Sequence, residues 1–108
     1  HKPGVSMEDI SYLVNVSKYI KNSRYAMFRI SKYSSMHGKS FLSGEMVPVE
    51  RYHCHHIVPR KEGGTDDFSN LCVLSDVEHR ILHSSTPERL YRLYPRRKGR
   101  VHYLISKL

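Results

Sequence analysis

The sequence predicts an α+β fold in which a small ββα unit in the middle of the chain is flanked by helices on both sides. Three observations predict it. Apolar residues recur at helical spacing over about 7–21 and again from Tyr25 to Met36. Two β-prone runs follow, Arg51–Val58 and Asn70–Leu74, separated by a loop rich in Gly, Thr, Asp and Ser. Helix starts at Ser75-Asp76 and Thr86-Pro87 come after them. With 108 residues the chain can bury one modest core and not two.

In chain order, Ser6 is the N-cap of the first helix, with Glu8 and Asp9 in the turn where the backbone dipole favours negative charge. Ile10, Leu13, Val14 and Ile20 then share a face, which gives a helix from about 7 to 21. Asn22-Ser23 breaks it. Tyr25, Phe28 and Met36, with Arg29 and Lys32 among them, form a second amphipathic segment that Gly38 can end in a left-handed cap. Met46–Val49 and Arg51–Val58 read as a hairpin-like pair of short β segments, with Pro48 confining the first to an edge because it lacks an N–H. Pro59 ends the second. The loop from Arg60 to Ser69 is long, and Gly63-Gly64 permits positive φ there. Asn70–Leu74 is a short apolar strand, and Ser75-Asp76 caps a helix to about His83. Thr86, with Pro87 at the first helical position, starts another. Beyond Pro95 a basic tail carries Arg96, Arg97, Lys98 and Arg100.

Charge narrows the function. The chain has 18 Lys and Arg against 10 Asp and Glu, a net charge of +8, and residues 85–108 alone contribute +6 while residues 51–84 contribute −1. Such basic flanks are the electrostatic footprint of a nucleic-acid binder. Two cysteines, Cys54 and Cys72, exclude a four-cysteine zinc site and are read as buried free thiols. No apolar run is long enough to cross a membrane, so no membrane partner is expected and an intracellular location, cytoplasmic or nucleoid-associated, is. The start His1-Lys2-Pro3-Gly4, without an initiator Met, is read as that of an excised domain or a tag remnant.

Five of the eight histidines lie between 53 and 83. His79 and His83, four apart on a predicted helix, project from one face and can grip one ion. His55-His56 sits on a strand end, separated from that helix by the Gly-rich loop and Asn70, so a ββα unit would bring strand and helix histidines together.

The run His55-His56-Ile57-Val58-Pro59-Arg60, then Gly63-Gly64, Asn70-Leu71 and His79-Arg80-Ile81-Leu82-His83, resembles the HNH, or ββα-metal, nucleases over residues 52–84. The resemblance implies a phosphodiester hydrolase acting on double-stranded DNA. It implies that His56 is the general base that deprotonates the attacking water, and that His55, His79 and His83 bind one divalent ion. It gives Asn70 the task of stabilising the loop and orienting the base. Arg60 and Lys61, with Arg96, Arg97, Lys98 and Arg100, are the expected DNA contacts. Many members of that family surround the unit with two CxxC pairs for structural zinc. Here the corresponding places hold Ser40, Ser43, Ser75 and Glu78, so no such zinc is expected. The expected organisation is a helical extension over 1–38, a nuclease core over 39–84 and a basic helical tail over 85–108.

The run from Asn22-Ser23-Arg24-Tyr25 to Ser34, with Gly38-Lys39, Ser43-Gly44-Glu45, His53-Cys54-His55-His56 and Gly64-Thr65-Asp66, is similar to one branch, the C-terminal endonuclease of group II intron-encoded reverse transcriptases. That similarity implies second-strand nicking of the DNA target, partners in the reverse transcriptase and maturase parts of the same polypeptide and in intron RNA, residues 6–38 in the adjoining DNA-binding region, and Mg²⁺ as the working ion. An all-histidine set would by itself suit Zn²⁺, Ni²⁺ or Mn²⁺ better. Two other functions compete: a catalytically silent, metal-stabilised DNA-binding module, and an HNH nuclease of the restriction or toxin kind.

Overall fold

The structure is a computed structural model and describes residues 5–108; the reading of His1–Gly4 lies outside them. Five helices and one two-stranded sheet make up the fold: α1 (Met7–Ser17), α2 (Ser23–Ser35), β1 (Tyr52–His56), β2 (Leu71–Ser75), α3 (Asp76–Ser84), α4 (Pro87–Leu93) and α5 (Lys98–Lys107), with single 3₁₀ turns at Val49–Arg51, Arg60–Glu62, Phe68–Asn70 and Pro95–Arg97. This is the α+β arrangement predicted, with a ββα unit formed by β1, β2 and α3.

The caps explain most helix boundaries. Ser6 and Asp9 exchange hydrogen bonds in a capping box, as do Ser75 and Glu78, and Thr86 accepts from the Arg89 N–H ahead of Pro87. Helix α1 stops at Ser17, short of the expected residue 21. The N–H groups of Tyr19 and Ile20 turn back onto Val16 and Ser17, because Asn22 is held extended to accept the Tyr25 N–H at the start of α2. Leu13 is buried, whereas Val14, expected beside it, is exposed. At the end of α2 the left-handed residue after the cap is His37 (φ 56°), with Gly38 (φ 70°) following it. The Gly38 N–H reaches the Tyr33 carbonyl and that of His37 reaches Ser34, the two bonds of a Schellman cap.

The strand pairing differs from the expected hairpin. β1 pairs antiparallel with β2, Tyr52 opposite Ser75 and His56 opposite Leu71, while Met46 makes only an isolated bridge to Lys39. Pro48 has no N–H for a ladder, the Val47 N–H is taken by the Gly38 carbonyl, and Val49–Arg51 folds into a turn. The two β runs closest in sequence are therefore not partners; the apolar β2 is, because both of its faces can be buried.

The alternation of the sheet splits the core in two. Tyr52, Cys54, Leu71 and Val73 face α1 and α2, in a cluster with Leu13, Tyr33, Val47 and Val49. Cys72 and Leu74 face the other way, packed with Leu42, Ile57, Leu82, Leu90, Val101 and Leu104. The flanking helices thus close both faces of a sheet too small to be stable alone. The Tyr33 hydroxyl donates to the Val47 carbonyl and that of Tyr52 to the Arg29 carbonyl at 2.8 Å, so both buried phenols are satisfied. At the positions compared above with zinc cysteines, side chains serve the backbone: the Ser40 hydroxyl accepts from Leu42 and Ser43, and Ser75 and Glu78 form the cap of α3.

Candidate active site

Because β1 alternates, it sends consecutive histidines to opposite sides. His55 points to α3, where its ring centroid lies 5.3 Å from that of His79 and 5.7 Å from that of His83. The two helical rings are 4.4 Å apart, as the four-residue spacing requires. One ring nitrogen of each of the three lies within 4.8 Å of the others. Burial grades across the set, with His55 buried, His79 intermediate and His83 exposed, so the cluster is closed on the strand side and open on the helix side.

Burial and then the neighbouring His79 and His83 push the pKa of His55 down to about 3, and burial followed by His53 and His83 pushes that of His79 down to about 4. Both rings are neutral at pH 7, the form in which imidazole ligates. The Nε2 of His55 is buried without any hydrogen-bond partner. A buried polar atom without a partner costs free energy unless something fills its need, and three converging imidazoles are a donor set that a divalent ion fits. His53 stands beside the set with its ring stacked on His79 at 3.7 Å.

His56 lies on the other side, toward α2. Its ring stacks on Tyr25 at 5.4 Å, and its Nε2 is 2.7 Å from Asp66 Oδ1. Asp66 also accepts from Arg60 Nε at 2.9 Å and pairs ionically with its terminal nitrogen at 2.6 Å, and Asn22 Nδ2 approaches its other oxygen at 3.5 Å. Burial alone would raise the Asp66 pKa; the hydrogen bonds from His56 and Arg60 outweigh it and leave it lowered. An ionised carboxylate only accepts, so the proton of this bond belongs to His56 Nε2. Asp66 was not among the site residues expected from sequence. The available signal was an acidic residue in the loop that Asn70 returns to the strand.

Asn70 is the clasp of that loop. Its Oδ1 accepts the Val58 N–H at 2.9 Å, and its Nδ2 donates to the carbonyls of Val58 at 3.0 Å and Thr65 at 2.8 Å. Its own carbonyl accepts the Ile57 N–H, extending the ladder by one pair. Of the two glycines, Gly63 takes the positive φ (92°), while Gly64 permits close approach: a Cβ there would stand 1.7 Å from the Val58 carbonyl oxygen.

The basic residues divide. Arg60 is bound to Asp66 and lies over the Tyr25 ring at 5.4 Å, next to His56, and Lys61 borders a hollow shared with His83. The tail lies elsewhere. The Phe41 N–H bonds the Val73 carbonyl, placing residue 41 along the edge of β2 away from β1, and Arg100 donates to the Phe41 carbonyl at 3.1 Å. Arg97 covers Gly44, and Arg96 and Lys98 are exposed. An apolar groove of about 560 Å³ between α1 and α2, lined by Val14, Ala26, Met27 and Ile30, holds none of these groups.

No helix among the described residues is long and apolar enough to cross a membrane. Comparison with curated proteins and with solved structures gave no match. Residues 39–84 do match a family model, that of the HNH endonucleases, and the match spans both strands, the clasped loop and the histidine face of α3. Residues 39–84, under half of the chain, are thus similar to the HNH endonucleases.

Proposed function

We propose that the chain is a metal-dependent DNA endonuclease in which His56 is the general base and His55, His79 and His83 hold one divalent ion. The observation that carries this reading is the division of labour at the end of β1: three imidazoles converge on one side, and one imidazole with a carboxylate partner stands on the other. When bound, the ion would supply Lewis-acid stabilisation of the phosphate and of the leaving 3′ oxygen. His56 Nδ1 takes the proton of the attacking water, which needs the neutral ring. Asn70 holds the strand end and the loop together, so that His56 and its carboxylate keep their separation. Residues 39–84 are the nuclease core in this reading, residues 5–38 a helical extension and 85–108 the basic tail.

The finer assignment rests on the similarity of residues 22–84 to the endonuclease of group II intron-encoded reverse transcriptases. It gives the domain the task of nicking the second strand of the DNA target, with Mg²⁺ as the working ion and the reverse transcriptase and maturase parts, with intron RNA, as its partners. The test is nicking of supercoiled plasmid with Mg²⁺, Mn²⁺, Zn²⁺ and Ni²⁺ added one at a time. Nicked circles are expected with at least one ion and none with EDTA. Protein that binds metal and DNA yet never nicks under any of these ions would favour the silent DNA-binding module.

Arg60, Lys61, Arg96, Arg97, Lys98 and Arg100 are the proposed DNA contacts. Arg97 and Arg100 also pack on the 41–44 turn, so the clean probe of the tail is Arg96→Gln with Lys98→Gln. Loss of two phosphate contacts should reduce the slope of log K against log salt by about 1–2. An unchanged slope would place the far edge of β2 off the DNA.

A further inference from the structure

The geometry points to Asp66 as the positioning residue for His56, holding the ring as the Nε2–H tautomer with Nδ1 turned to the reacting water. This rests on the reading of His56 as the base. An imidazole acts as a base only through the nitrogen that lacks a proton, and the tautomer is set by what the other nitrogen meets. Here that partner is Asp66 Oδ1 at 2.7 Å. A solvated surface pair would leave both groups free to turn, but neither is. The His56 side chain is 18% exposed and that of Asp66 27%. The ring face is covered by Tyr25 of α2.

Asp66 is itself held from three directions. Arg60 of the loop donates to Oδ1 through Nε and forms an ion pair with it through a terminal nitrogen, Asn22 at the N-cap of α2 approaches Oδ2, and the preceding residue, Thr65, is fixed through its carbonyl by Asn70. The arrangement gives Arg60 and Asn70 a common purpose. Arg60 keeps the carboxylate in its accepting form, and Asn70 sets its distance from the strand. Each acts through Asp66 on the orientation of one ring. The pattern is that of a base oriented by a third group, reached through loop closure.

The test compares Asp66→Asn, Asp66→Ala and Asp66→Glu with His56→Ala on a short duplex, using the ion that supports plasmid nicking. Asp66→Asn should lower kcat by about 10²- to 10⁴-fold, the scale seen when a base loses its orienting carboxylate. KM should stay within about threefold, because no binding contact is removed. Asp66→Glu should recover part of the loss, and Zn²⁺ affinity and the melting temperature should be close to those of the wild type. A readout independent of activity is the ¹⁵N spectrum of the His56 ring: protonated Nε2 and bare Nδ1 in the wild type, a mixture in Asp66→Asn. Wild-type kcat in both Asp66→Asn and Asp66→Ala while His56→Ala is inactive would overturn the proposal. So would a wild-type ring carrying its proton on Nδ1. Full activity of His56→Ala would instead remove the base assignment itself, and this proposal with it.

Discussion

His56→Ala should all but abolish nicking, by roughly 10²- to 10⁴-fold in the single-turnover rate, the usual contribution of a general base. Its selectivity is the informative part. His56 points to α2 and contacts none of the three clustered imidazoles through its side chain, which meet on the α3 side of the strand. Metal and DNA should therefore bind the variant about as they bind the wild type, giving a protein that assembles the site and does not turn over. The measurement is a gel time course of plasmid nicking beside calorimetric titration with metal. A variant that nicks at the wild-type rate would sink the assignment of His56, and one that also loses metal would place it among the ligands.

Asn70→Ala should give the largest loss of stability, about 2–3 kcal/mol, with loss of nicking in the folded fraction. Three side-chain hydrogen bonds disappear at once, and the Val58 N–H and carbonyl lose their partner within the strand-to-loop junction. A net contribution near 1 kcal/mol per bond sets the scale. Asn70→Asp discriminates further. An ionised carboxylate can still accept the Val58 N–H but has no donor for the carbonyls of Val58 and Thr65, so it should not rescue the loop. Urea denaturation of the three proteins reads the effect, and a wild-type midpoint for Asn70→Ala would show that the loop is held by something else.

What the sequence revealed follows the range of the interactions concerned. Ser6, Ser75 and Thr86 cap helices through bonds to backbone three residues away, so local chemistry was enough to find them. The same is true of His79 and His83, whose common face follows from helical spacing. The partner of β1 was misread because adjacency in sequence favoured Met46–Val49, whereas the pairing is decided by two clusters that draw on α1, α2, α4 and α5. The length of α1 was misread because Asn22 caps the following helix, a constraint from outside the α1 periodicity. Asp66 escaped notice for a related reason: its meeting with His56 depends on the path of a loop fixed by Asn70, Gly63 and Gly64 together. The placement of Arg97 and Arg100 against the 41–44 turn likewise depends on contacts across more than fifty positions, and nothing in a run of basic residues indicates it.

The alternation of β1 has a consequence for how the domain can change over time. In the proposed reading, ion holding and proton abstraction are divided by the parity of position along a five-residue strand, which sends His55 to one side and His56 to the other. Inserting or deleting one residue within the ladder would exchange the two sides for every residue beyond it. His56 would then face α3, and His55 would face Tyr25. Such a lineage can lengthen or shorten this strand only in steps of two, however freely the surface turns around it vary.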